Sequence, residues 1–247
     1  MDVSFFVKEE EKKLNAFLDQ KINPPMPEIS PEDLEKFSQL GFNLHYLPPL
    51  EIKGTKKFPG WKEGPKENFY QLIEKGKLAK SAGFLPGKWV LVEKRQKPRK
   101  NYRWIARDDF SVLVLEKLFK INFKGRCQKI SRQQYDNDFL LPILKTNGFR
   151  SRFSLTWQEI NKTIKPEAAK FLEIELEKIR LPRFIEWNFL GNVFYPGWGK
   201  TMTWEWFNDG FKTGECLTGG SGGLNIIGWD PPDFWSTMLG FRLLIEI

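Results

Sequence analysis

Hydrophobic and polar positions change their spacing several times along the chain, and each change predicts a different element. Up to residue 25, Leu14, Phe17 and Leu18 punctuate a charged run that ends before Pro24-Pro25, which predicts a short helix with one apolar side. Ser30-Pro31-Glu32-Asp33 predicts a second helix start: serine caps it, proline takes the first helical position, and acids fill the first turn. Leu34, Phe37 and Leu40 then face inward, and Gly41 stops the helix. Pro48, Pro49 and Pro59-Gly60-Trp61 predict extended chain, followed by a helix from Pro65 to Ile73 that ends at Gly76. Lys88-Trp89-Val90-Leu91-Val92-Glu93 is rich in β-formers and reads as a strand. Asp109 to Phe119 reads as helical. Ser154 to Glu177 reads as two helical pieces with a break, the first opened by a capping box at Thr156–Glu159 and the second restarted at Pro166. From Leu181 onward helical signals stop, and short β-like runs alternate with loops rich in Gly, Trp, Asn and Pro.

The C-terminal stretch has rigid ends and an irregular middle. Gly219-Gly220-Ser221-Gly222-Gly223 predicts a tight backbone crossing where side chains would clash. Asn225 to Met238 has neither the alternation of a strand nor the period of a helix. It mixes Trp229, Phe234 and Trp235 with Asp230, Pro231, Pro232 and Asp233. Large aromatics among turn-formers, held between fixed flanks, make a recognition surface and a poor active site.

Composition changes this picture little. The 247 residues, with 22 Phe and 10 Trp, suffice for a folded chain with ample core. No run of eighteen apolar residues predicts a membrane span. The opening residues show no basic lead into an apolar stretch, so no secretion signal is expected, and two cysteines, Cys127 and Cys216, fit a reducing, cytoplasmic setting. Net charge is +8, and the densest basic run, Lys94 to Arg103, lies between β-rich segments. That run reads as a solvated hairpin tip rather than a nucleic-acid contact, because no binding motif accompanies it.

Catalytic and cofactor motifs are missing. No Walker loop, dinucleotide fingerprint or zinc-type Cys/His spacing is present, and no metal or other cofactor is expected. The lone histidine, His45, sits between Leu44 and Tyr46 and reads as a packed residue. Glu205 and Asp209 lie in the Trp-rich run Thr203 to Asp209. A carboxylate there could be a general acid or a buried acceptor for backbone N–H groups, and the structural role is preferred for want of a second catalytic group.

Trp204-Glu205-Trp206-Phe207, then Gly219-Gly220-Ser221, then Leu239-Gly240-Phe241-Arg242 form an ordered set. This set resembles the formylglycine-generating-enzyme type of C-type lectin fold, and more closely the variable proteins of diversity-generating retroelements that carry it. Leu85 to Val92 resembles the strand that such domains pair with their last one. The resemblance implies an α+β class: an irregular, loop-rich antiparallel β structure with flanking helices. It would span residues 81–247 with a variable region near 218–238, and residues 1–80 would form a helical N-terminal region, either separate or packed on it. Trp204, Glu205, Trp206, Gly219, Gly220, Gly240, Phe241 and Arg242 would be scaffold, with Arg242 paired to a buried carboxylate such as Glu205 and Phe241 plugging the core.

The same resemblance implies that Thr218, Ser221, Asn225, Ile227, Gly228, Trp229, Asp230, Pro231, Pro232, Asp233, Phe234, Trp235, Ser236 and Thr237 contact a ligand, expected to be a protein or peptide. In such proteins adenines of a template repeat are mutated on copying. Most of these residue types are reachable from an Asn codon ending in a pyrimidine, whereas Trp229, Trp235 and Met238 are not. The cysteine pair that formylglycine-generating enzymes use in their last long loop is missing between Asn225 and Met238, so the oxidase activity is not carried over.

Overall fold

Leu14, Phe17 and Leu18 lie buried along α1 (Val3–Leu18), as their spacing predicts. On α2 (Pro31–Gln39), Ser30 accepts the Asp33 N–H at 3.0 Å, Leu34 and Phe37 are buried, Leu40 is half-buried, and Gly41 leaves the helix at φ +92°. The computed structural model describes residues 3–53, 58–95, 139–148, 152–201, 203–236 and 238–247. It is mixed α+β, with two four-stranded sheets among the described residues. The expected helix over 109–119, Cys127, most of the basic run 94–103 and Thr237 lie outside the described residues.

The first sheet has the order β1-β2-β8-β3, comprising β1 (Phe42–Leu47), β2 (Lys88–Glu93), β8 (Leu244–Glu246) and β3 (Ile179–Arg180), all neighbours antiparallel. β2 does pair with the last strand, Val90 opposite Glu246 and Val92 opposite Leu244. β1 was not expected, since the N-terminal region read as helices joined by extended chain. Its six residues are buried apart from half-buried Asn43, so polar Asn43 and His45 sit inside and no alternation marks the strand. Through β1, residues before 80 supply an edge of this sheet, and α3 (Glu67–Glu74) lies between β1 and β2 in sequence.

The segment after residue 154 forms α5 (Trp157–Glu159), a π-helical turn (Ile160–Ile164) and α6 (Lys165–Leu172), preceded in the chain by α4 (Leu140–Thr146). The Thr156–Glu159 capping box is present: Glu159 N–H donates to Thr156 Oγ1 at 3.0 Å, and Thr156 N–H to Glu159 Oε2 at 2.8 Å.

The expectation that helices end by Leu181 is corrected by α7 (Phe184–Val193). Every residue from Phe184 to Gly191 is buried, so the helix has no polar side and shows no 3.6-residue period. Trp187, Phe189 and Leu190 on α7 join one hydrophobic cluster with Leu14, Phe42, Leu91, Phe207 and Ile245, which links the N-terminal helices to both sheets.

The second sheet has the order β6-β5-β4-β7: β6 (Ile227–Asp230), β5 (Cys216–Gly219), β4 (Trp204–Gly210) and β7 (Leu239–Gly240). β4 and β7 run parallel, and the other pairs are antiparallel. β6 corrects the reading of Asn225–Met238 as wholly irregular. It is short, carries Gly228, and is half-buried or exposed throughout, so its sequence shows no alternation.

Candidate functional site

Glu205 is the centre of the scaffold. On β4 it stands opposite Gly219 of β5 on one side and Gly240 of β7 on the other. Its two oxygens accept from Arg242 Nε (2.7 Å) and Nη2 (2.6 Å), a fork-to-fork pair in which both side chains are buried. Arg242 Nη1 also donates to the Glu93 and Arg95 carbonyls at 2.6 and 3.0 Å, and its guanidinium lies 3.7 Å above the Trp198 ring. Arg242 lies between β7 and β8, where the chain passes from one sheet to the other, so this pair ties the two sheets together. The pairing predicted from sequence is present.

The neighbouring scaffold residues are placed as follows. Trp206 is fully buried and donates from Nε1 to the Leu155 carbonyl at 3.0 Å, whereas Trp204 is half-buried. Phe241 is buried beneath the Arg152 guanidinium, and Arg152 in turn makes a two-pronged pair with Glu93. A Cβ on Gly219 would lie 2.5 Å from the Ile226 carbonyl oxygen and 2.9 Å from Phe207, the close crossing read from the sequence. Gly240 faces the Phe153 ring rather than backbone, 2.9 Å from where its Cβ would be. Gly219→Ala is therefore expected to cost about 1–3 kcal/mol by overpacking against rigid backbone. Gly210→Ala, with open space around it, is the control expected to change little. Urea denaturation of both variants checks this.

Glu63 went unrecognised in the sequence, being one acid in a Pro/Gly-rich stretch without period. Its Oε2 accepts the Leu224 N–H at 2.5 Å, its own N–H donates to Asn192 Oδ1 at 2.9 Å, and Asn188 Nδ2 donates to the Leu224 carbonyl at 2.7 Å. The N-terminal region and α7 thus clamp the exit of the glycine turn.

Beyond the turn, main-chain bonds hold the 231–238 segment. Gln158 N–H donates to the Pro232 carbonyl (3.1 Å), Ser154 N–H to Ser236 (3.2 Å), Phe234 N–H to Pro231 (2.9 Å) and Trp204 N–H to Met238 (2.7 Å). The side chains of Phe234 and Trp235 between these anchors, and of Trp229 on β6, point outward: Trp229 is 51% exposed, Phe234 42% and Trp235 52%. Pro231 and Asp233 are exposed, while Ser221, Asn225, Ile227, Gly228, Asp230, Pro232 and Ser236 are half-buried. Trp229 rests part of its ring on Phe211, 5.8 Å away between centroids. Thr218 differs from expectation. It is buried, and its hydroxyl donates to Asp230 Oδ2 at 3.2 Å, so it braces β6 from below instead of presenting itself. Burial raises the Asp230 pKa, and the Thr218 bond works against that rise.

Asp209, Cys216 and His45, three groups with catalytic potential, are buried. Asp209 is buried and accepts the Phe184 N–H at 2.6 Å at the start of α7, the structural role preferred from sequence. The Cys216 thiol is buried and pushed up to about 11 by desolvation, with Glu215 adding to the effect. His45 is packed inside: Nδ1 lies 3.2 Å from Glu10 Oε1, Nε2 lies 2.7 Å from the Tyr195 hydroxyl, and the ring stacks on Phe194. Among the described residues, no group of three or more His, Cys, Asp or Glu side chains gathers to hold a metal ion, and no helix is long and apolar enough to cross a membrane. No known family model, curated protein or solved structure matches the chain.

Proposed function

We propose that the protein is a non-enzymatic binding protein on a C-type lectin scaffold, of the variable class served by diversity-generating retroelements. Residues 218–238 form its recognition segment, and its ligand is a protein or a peptide. One observation carries the reading: Trp229, Phe234 and Trp235 are each about half exposed within a single seven-residue run whose main chain is tied to the body of the protein. Backbone fixed and side chains free is the arrangement that tolerates substitution without loss of fold, and rigid aromatics bind with small entropy cost. Pro231-Pro232 restricts the segment further. The buried Cys216 thiol, far from nucleophilic at neutral pH, weighs against oxidase chemistry.

Sequencing the genomic locus tests the diversification. The expected result is a reverse-transcriptase gene and an imperfect copy of the codons for about residues 218–238, mismatched at adenines of the template; a locus with neither overturns it. The scaffold half of the reading is tested by stability. Phe234→Ser and Trp235→Ser are each expected to lower unfolding free energy by about 1 kcal/mol or less, as exposed positions do. A loss of several kcal/mol in urea denaturation would show that these rings close the core instead.

A further inference from the structure

Among the described residues, the edge of the second sheet beside Trp229 has no neighbouring strand: β6 is the terminal strand and pairs there with β5 alone, with Gly228 opposite Thr218 and Asp230 opposite Cys216. The Gly220 N–H donates to the Ile226 carbonyl at 3.1 Å, and this fixes the parity of the ladder. Ile226, Gly228 and Asp230 direct their main-chain groups toward β5, so those of Ile227 and Trp229 point to the outer edge. A row of main-chain donors and acceptors on a terminal strand matches one kind of occupant, another extended chain.

Charge narrows that occupant. From Thr213 to Phe241 the sequence contains Glu215, Asp230 and Asp233 and no Lys or Arg, although the whole chain carries a net +8. Asp230 closes β6, Asp233 is exposed just beyond it, and the half-exposed Trp229 ring lies on the same strand. Trp229 and Asp230 are adjacent on the strand and point to opposite faces, so basic side chains of an added strand meet an indole on one face and a carboxylate on the other.

Resting on the binding role proposed above, we infer that the ligand enters as an extended, basic peptide segment that adds to β6 as a fifth strand. Its main chain pairs with Ile227 and Trp229, and its basic side chains meet Trp229, Asp230 and Asp233. Main-chain pairing gives an affinity that survives variation of the neighbouring side chains, while the aromatics and carboxylates set preference.

The test selects binders from a random short-peptide display library against the full chain, then measures synthetic copies by calorimetry. Enriched peptides are expected to carry Lys or Arg. Ile227→Pro removes an outward N–H while leaving the β5 ladder intact, as proline on an edge strand can. It is expected to weaken binding about tenfold or more, whereas Ile227→Thr, which keeps the N–H, stays near wild type. On the unaltered protein, N-methylation of successive peptide positions is expected to abolish binding at alternate residues only, a readout independent of how Ile227→Pro folds. Strand addition is overturned if no peptide is enriched, if enriched peptides are acidic, or if N-methylation shows no alternation. It is equally overturned if β6 pairs with a second copy of the chain, seen as a dimer that Ile227→Pro dissolves. Binding that survives Ile227→Pro but is lost in Trp229→Ala sinks strand addition and leaves the aromatic recognition segment standing. Binding lost in Ile227→Pro but indifferent to Trp229→Ala, Phe234→Ala and Trp235→Ala does the reverse.

Discussion

Arg242→Met is expected to cost about 3–5 kcal/mol of folding stability, the range for breaking a buried ion pair by removing one partner. The substitution leaves Glu205 1% exposed with its two short hydrogen bonds gone, and strips the Glu93 and Arg95 carbonyls of their donor. It also removes the cation resting on Trp198. A second change distinguishes the causes. If loss of the guanidinium from the buried carboxylate dominates, adding Glu205→Leu to Arg242→Met should recover part of the loss, because the carboxylate that lost its ion pair is then gone as well. Recovery should be incomplete, since two carbonyls still lack their donor. Equilibrium urea unfolding of the single and double variants gives the comparison. A loss below about 1 kcal/mol for Arg242→Met would mean that the pair does not hold the two sheets together.

The contrast between this pair and the 229–235 aromatics explains what the sequence could say. Glu205 and Arg242 were legible because their neighbours, Trp206 and Phe241, are plainly interior, and because Glu205 faces glycines across the sheet on both sides. Local chemistry was legible wherever a cap or stop is written in adjacent residues, as at Ser30, Gly41 and Thr156. Elements wrapped on all sides were not. α7 hides its period because it has no exposed face, and β1 hides its alternation because His45 and Asn43 find partners in Glu10 and Tyr195 from distant parts of the chain. Long-range polar clamps such as Glu63 on Leu224 leave no trace at all, since a carboxylate accepting a main-chain N–H asks nothing of the residue type that donates it. Thr218 was misplaced for a related reason. Alternation on a short strand assigns a face only once its register is known, and its register with Gly228 turns the hydroxyl under β6.

Asp209→Asn is expected to gain stability relative to wild type as pH rises from 4 to 6. Desolvation pushes the buried Asp209 carboxyl from 3.8 up to about 6; the Phe184 N–H bond, Arg183 and Arg180 oppose that rise, and Glu186 adds to it. A folded-state pKa above the unfolded value means that the protonated acid is the form the fold prefers. Its favourable contribution is complete below about pH 4 and is lost as pH climbs through about 6, and the displacement corresponds to about 3 kcal/mol. Asparagine keeps an oxygen to accept the Phe184 N–H and carries no charge, so it escapes this loss. Its amide also brings a buried donor that the carboxylate lacked, a penalty of about 1–3 kcal/mol that does not depend on pH. The absolute difference at any single pH therefore decides little; its change across the window decides everything. Urea unfolding of both proteins at intervals from pH 3.5 to 7 should show the asparagine variant gaining on wild type by up to about 3 kcal/mol, with the midpoint of the gain between 4 and 6. A difference that stays flat through that window would mean that Asp209 is ionised in the folded protein at no cost, with the positive end of α7 and the two arginines fully offsetting its burial.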